Sequence, residues 1–102
     1  MIVEYVRYQM IENTSDALLE GYRAAAEALQ DSPECLGYDL SRCVEDPACV
    51  TVRIQWRSSE AHLQDFRNSS QFGRFLGHVR PFVSEIVEMR HYEPTGLVWE
   101  RD

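Results

Sequence analysis

Three histidines (His62, His78 and His91), three cysteines (Cys35, Cys43 and Cys49) and a tryptophan six residues ahead of the first histidine carry the chemistry available to this chain. His62 falls near the start of a helix that Ser58 caps, where the helix dipole favours a neutral imidazole over a charged one. A neutral imidazole can accept a phenolic proton near pH 7, so His62 is a candidate general base. The plain alternative is a solvated histidine on a helix face. Trp56 shares an alternating face with Val50, Val52 and Ile54, which makes it a core plug, a flat wall for an aromatic ligand, or both. Phe66, Phe72, Phe75 and Phe82 form an aromatic stripe that either fills the core or lines a pocket for a flat molecule. Arg74 would hold an anionic group there or stand free in solvent. His78, beside Val79, reads as a partly exposed helix residue, and His91 as a strand residue of undetermined face.

Other chemistries lack their residues. Three isolated histidines without paired spacing predict no metal site. The cysteines are an odd number without ligand spacing and suit a reducing compartment. A bridge between Cys43 and Cys49 across a hairpin would need demanding geometry. The chain has no Ser-His-Asp or Cys-His arrangement and no glycine-rich phosphate loop.

The elements that hold these residues follow from periodicity. Residues 2–11, IVEYVRYQMI, are β-branched and aromatic and read as a strand. Asn13, Thr14 and Ser15 are competent N-caps for a helix carrying Leu18, Leu19, Tyr22, Ala25, Ala26 and Leu29 at helical spacing, with Gly21 as a defect and Pro33 as its end. CLGYDLSRCVE and CVTVRIQWR alternate on either side of the turn EDPA and predict a hairpin, with Leu36, Tyr38, Leu40 and Val44 on one face. A helix of about ten residues after Ser58, a break at Asn68-Ser69-Ser70, a second helix up to Pro81, and a last strand over 83–93 complete the order β-α-β-β-α-α-β. Right-handed crossovers turn that order into a split βαβ sheet with helices on one side, a ferredoxin-like α+β fold. Residues 1–93 form one domain, and 94–102, PTGLVWERD, are a tail.

The net charge of −7 argues against nucleic-acid partners, which need a positive patch. No apolar run reaches the roughly 18 residues that span a bilayer, and charges at Glu4 and Arg7 disqualify the first residues as a signal peptide. The expected compartment is the cytoplasm.

The stretch Gln55-Trp56-Arg57-Ser58-Ser59-Glu60-Ala61-His62-Leu63, followed by Ser69-Ser70-Gln71-Phe72, resembles the signature segment of the antibiotic biosynthesis monooxygenase superfamily. Small quinol and anthrone monooxygenases belong to it, and heme-degrading proteins are related. The resemblance runs over residues 2–93. It implies a homodimeric α/β barrel with a pocket between helices and sheet, and oxidation of a small electron-rich aromatic by dioxygen without metal or flavin. Trp56 matches the family tryptophan. Val52 stands where an anthrone-oxidising relative has asparagine, His62 where it has tyrosine, and Phe66 where many relatives have histidine. Arg74 is the nearest match to a basic residue of the last helix.

For the heme-degrading branch, the working positions fall on Val6, on Asp65 or Phe66, and on Phe75 or Leu76. His78 is displaced by at least two residues, and a helix turns about 100° per residue, so heme is the lesser alternative. The resemblance thus implies His62 as base and Trp56, Val52, Phe66, Phe72, Phe75, Arg74 and His78 around the substrate. A rival reading is a non-catalytic module of the same fold that binds a small ligand or partner, since Val52 and Phe66 replace polar groups of the relatives.

Overall fold

A computed structural model describes all 102 residues. Four strands, β1 (Ile2–Gln9), β2 (Cys35–Arg42), β3 (Cys49–Trp56) and β4 (Ile86–Tyr92), form one antiparallel sheet in the order β2-β3-β1-β4. Helix α1 (Ser15–Asp31) follows β1. A short π-helix (Ala61–Phe66), helix α2 (Ser70–Val79) and a 3-10 turn (Arg80–Glu85) connect β3 to β4. This is the ferredoxin-like α+β arrangement, with α1 and α2 packed together over one face of the sheet.

Alternation decides which residues enter the core. Val50, Val52, Ile54 and Trp56 of β3 are buried toward the helices, as are Val6 and Tyr8 of β1. Leu18, Tyr22, Ala25 and Leu29 meet them from α1. The helix begins at Thr14, whose hydroxyl accepts the Ala17 N–H at 3.1 Å, satisfying one of the open donors of its first turn. Gly21 is no mere defect: a Cβ there would lie 2.7 Å from the Phe82 ring, so its bareness lets the 3-10 turn approach α1. The opposite sheet face is wetter. Arg53 pairs with Asp39 at 2.8 Å, Arg7 with Glu88 at 3.9 Å, and the Tyr5 and Tyr92 rings meet edge-on at 5.4 Å.

Several boundaries differ from the sequence reading, each for a local reason. Residues 83–85 belong to the 3-10 turn and not to the last strand. The ten-residue helix after Ser58 is largely the π-helix. Val44 is 91% exposed in the hairpin turn, outside the strand face assigned to it. Leu36, 47% exposed, is skipped by the pairing between Cys35 and Gly37, so it is bulged out of the inward row. All three cysteines are free, although the Cys43 N–H donates to the Cys49 carbonyl at 2.9 Å. Residues 94–102 form no helix or strand and are exposed.

Glu85 fixes the turn between β1 and α1. One of its oxygens accepts the N–H groups of Ile11, Glu12 and Asn13 at 2.8, 2.7 and 3.1 Å, and the other accepts the Asn13 side-chain amide at 3.0 Å. These bonds, the Ile11 N–H first, favour the carboxylate and hold its pKa at about 2, below the ordinary 4.5. The folded pKa is depressed, so the stabilisation is complete above pH 4.5 and disappears as pH falls toward 2. Glu85→Gln should therefore flatten the acid side of the stability curve. Thermal midpoints taken from pH 5 down to pH 2 test this (an acid range set by the carboxylate shift), and parallel curves for parent and variant would remove Glu85 as the source.

Candidate active site

Three chain segments converge at one end of the sheet. Glu4 of β1 is paired across the sheet with Ile54 of β3 on one side and His91 of β4 on the other. A bulge sets that register: Arg7 pairs with Glu88 and Tyr8 with Ile86, which leaves Val87 unpaired. His91 and Met89 thereby join the helix-facing side, opposite Glu4 and Val6. His62 descends from the π-helix. Its imidazole lies flat on Trp56, with centroids 4.5 Å apart and planes 11° apart, and Phe66 tilts against the same indole at 4.8 Å. The two residues share a face because they stand four apart, about one helical turn.

These groups form two hydrogen-bonded pairs in close contact. The Trp56 indole N–H donates to Glu4 Oε1 at 3.0 Å, and His62 Nε2 is 3.5 Å from the same oxygen. His62 Nδ1 faces His91 Nε2 at 2.8 Å, one ring donating and the other accepting. Glu4 and His62 are buried, while the His91 side chain is 30% exposed. Burial raises the Glu4 carboxyl above its ordinary range, against the Trp56 hydrogen bond, His91 and Arg67, which lower it. Burial, then the charges of His91 and Arg67, lowers the His62 pKa to about 4. His62 is thus a neutral imidazole at neutral pH, and its contact with Glu4 is not an ion pair. One donor atom from each of Glu4, His62 and His91 lies within 4.8 Å of the others, a set chemically able to hold a metal ion.

A cavity of about 200 Å³ opens beside these pairs, between sheet and helices. Glu4, His62 and Arg67 stand at its polar end. Trp56, Phe66, Phe72 and Phe75 supply flat walls, and Tyr8 and Tyr22 lie at the other side with their hydroxyls 2.8 Å apart. Burial raises both tyrosine pKa values, so both stay protonated at neutral pH.

The sequence candidates separate on this geometry. His62, Trp56, Phe66, Phe72 and Phe75 all line the cavity. Val52 is buried in the core but is not part of the cavity wall. Arg74 points elsewhere, paired with Asp31 at 2.9 Å on the exposed side of α2, so it does not reach an anion in the cavity. His78 is exposed and outside the wall. Histidines isolated along the chain nevertheless meet in space, because the β4 bulge carries His91 to His62. Glu4, Arg67, Tyr8, Tyr22 and His91 were not assigned to the pocket from sequence. Glu4 had a signal: an acidic residue in phase with Val6 and Tyr8 on an apolar strand face.

Comparison with known proteins agrees with this architecture. Residues 1–77 match the family model of the antibiotic biosynthesis monooxygenases. The chain is 20% identical over 93 residues to the YczJ protein of Bacillus subtilis, covering 91% of this chain and 98% of that one. Its fold is similar to a crystal structure of a mutant of SnoaB, a cofactor-independent oxygenase from Streptomyces nogalater. The TM-score is 0.77 at 12% identity, over 97% of each chain. It is also similar to PA3566 from Pseudomonas aeruginosa, with a TM-score of 0.67, 21% identity, and coverage of 95% of this chain and 94% of that one. At these identities the structural likeness speaks for the fold.

Proposed function

The chain belongs to the antibiotic biosynthesis monooxygenase family, and from that premise we propose that it oxygenates a small electron-rich phenol or quinol with dioxygen and without an added cofactor. One observation carries the reading: a cavity with four aromatic walls ends in the buried Glu4–His62 pair, which His91 links to the surface. The walls would hold a flat ring against Trp56, and the polar end would receive its phenolic proton at His62 as the Nδ1 proton passes to His91, because burial disfavours a lasting imidazolium at His62. The resulting anion is electron-rich enough to reduce dioxygen itself. One oxygen atom enters the substrate at a ring C–H, two hydrogens leave with the other as water, and the phenol becomes a quinone. A volume of about 200 Å³ is below the roughly 300–1,000 Å³ of sites for larger ligands. It favours one or two fused rings over a three-ring anthrone.

The open sheet face carrying Tyr5 and Tyr92 supports a homodimer, with two sheets face to face. A second reading, a ligand-binding module without turnover, is favoured by the hydrogen bond that ties His62 Nδ1 to His91, with the Glu4 carboxylate 3.5 Å from Nε2.

Oxygen uptake by chelator-treated protein given 1,4-dihydroxynaphthalene, a monocyclic hydroquinone or an anthrone tests both readings. The expected result is uptake above the buffer rate for the two smaller substrates, from a species scattering light at twice 11.9 kDa. Binding of the same compounds without uptake would leave the module reading in place. No helix is long and apolar enough to cross a membrane.

A further inference from the structure

We infer that Glu4, His62 and His91 form a binding site for one divalent transition-metal ion, of the zinc, cobalt or nickel class, at the polar end of the cavity. Two imidazoles and one carboxylate suit such ions, whereas calcium and magnesium prefer an all-oxygen shell. His91 Nε2 is the pivot, 2.8 Å from His62 Nδ1 and 3.9 Å from Glu4 Oε2. Metal–nitrogen bonds of about 2.0–2.1 Å place two ligating imidazole nitrogens roughly 2.9–3.4 Å apart, depending on geometry. The two rings therefore need to open by only a few tenths of an ångström and the carboxylate to approach His91 by about half an ångström, with a further closing movement toward His62, since the three donor atoms lie within 4.8 Å of one another.

The surroundings already orient the ligands. The Trp56 N–H fixes Glu4 through Oε1, leaving Oε2 for the ion. The stack on Trp56 sets the plane of the His62 ring, which keeps Nδ1 turned toward His91 Nε2. The exposed edge of His91 offers the ion a way in, and the cavity leaves room for water as a fourth ligand. Arg67, which acts electrostatically on both Glu4 and His62, moderates the affinity.

An ion bound here would occupy the nitrogen pair that links His62 to His91. The site is therefore not an essential cofactor site for the proposed oxygenation but an exclusive alternative to its proton path. Metal binding itself does not depend on that reading.

The experiment is titration of the chelator-stripped, full-length protein with Co2+, followed by the visible ligand-field bands, and with Zn2+ by calorimetry. One ion per chain is expected, with at least tenfold weaker binding in Glu4→Gln and in His91→Ala. His91 is partly exposed on an edge strand, so its variant retains the fold even if a His62 variant does not. A Cys43→Ser, Cys49→Ser double variant should bind as the parent does and show no sulfur charge-transfer band. Absence of cobalt bands and zinc heat at millimolar metal would overturn the site, as would undiminished binding in His91→Ala. Loss of binding in the cysteine variant would move the ion to the hairpin and equally refute it. Failure of the oxygenase reading appears separately, as absent oxygen uptake in the stripped protein.

Discussion

Trp56→Ala should cost about 3–5 kcal/mol of stability, the usual range for removing a buried tryptophan. The indole is 1% exposed and touches three things at once: the His62 ring, the Phe66 ring and the Glu4 carboxyl. Truncation leaves a void beneath the π-helix and strips a buried acid of its donor. Trp56→Phe separates these effects, since it keeps most of the apolar bulk and removes only the N–H. The unpaired acid should then cost about 1–3 kcal/mol on its own, or take up a proton to avoid the charge. Urea denaturation followed by far-UV circular dichroism measures both. A phenylalanine variant as stable as the parent would show that the Glu4 contact contributes nothing.

His62→Ala is expected to lower turnover in the oxygen-uptake assay by roughly 10²–10⁴, the range for losing a positioned general base. His91→Ala should reduce turnover less, because in the proposed reaction it would only pass the proton outward from His62. The Michaelis constant should stay near the parent value in the His91 variant, since Trp56 and the phenylalanines, which line the cavity, would do the binding. Both variants are compared after chelator treatment, so that bound metal does not confuse the result. If His62→Ala turns over as fast as the parent, the proton goes elsewhere, and Glu4 becomes the group to replace.

Most of the fold was legible in the sequence because apolar alternation and helical spacing are strong local signals. Val50 to Trp56 alternate cleanly, and Leu18 to Leu29 keep one helical face, so strand order and layering followed. The site was legible in part. His62, Trp56 and three of the phenylalanines could be named from spacing. His91 could not be placed, because its face depends on a bulge between Arg7 and Tyr8 that has no obvious sequence mark. Glu4 interrupts an apolar run, in phase with Val6 and Tyr8 on the buried face of β1. A carboxylate in phase with buried neighbours needs a partner, and that rule points to the tryptophan on the next strand. Arg74 and His78 stand on the outer side of α2, away from the cavity, although the family resemblance implies them around the substrate.

The π-helix at Ala61–Phe66 bears on how this chain is compared with its relatives. A π turn holds one residue more than an α turn, so a homologue shorter by one residue here could close the same loop in ordinary α form. At an equal count from the tryptophan, such a homologue would turn a different side chain toward the indole. Equal offset is then not equal position. The histidine found ten residues after the tryptophan in many relatives, and the phenylalanine found there in this chain, are comparable only where the extra residue is shared.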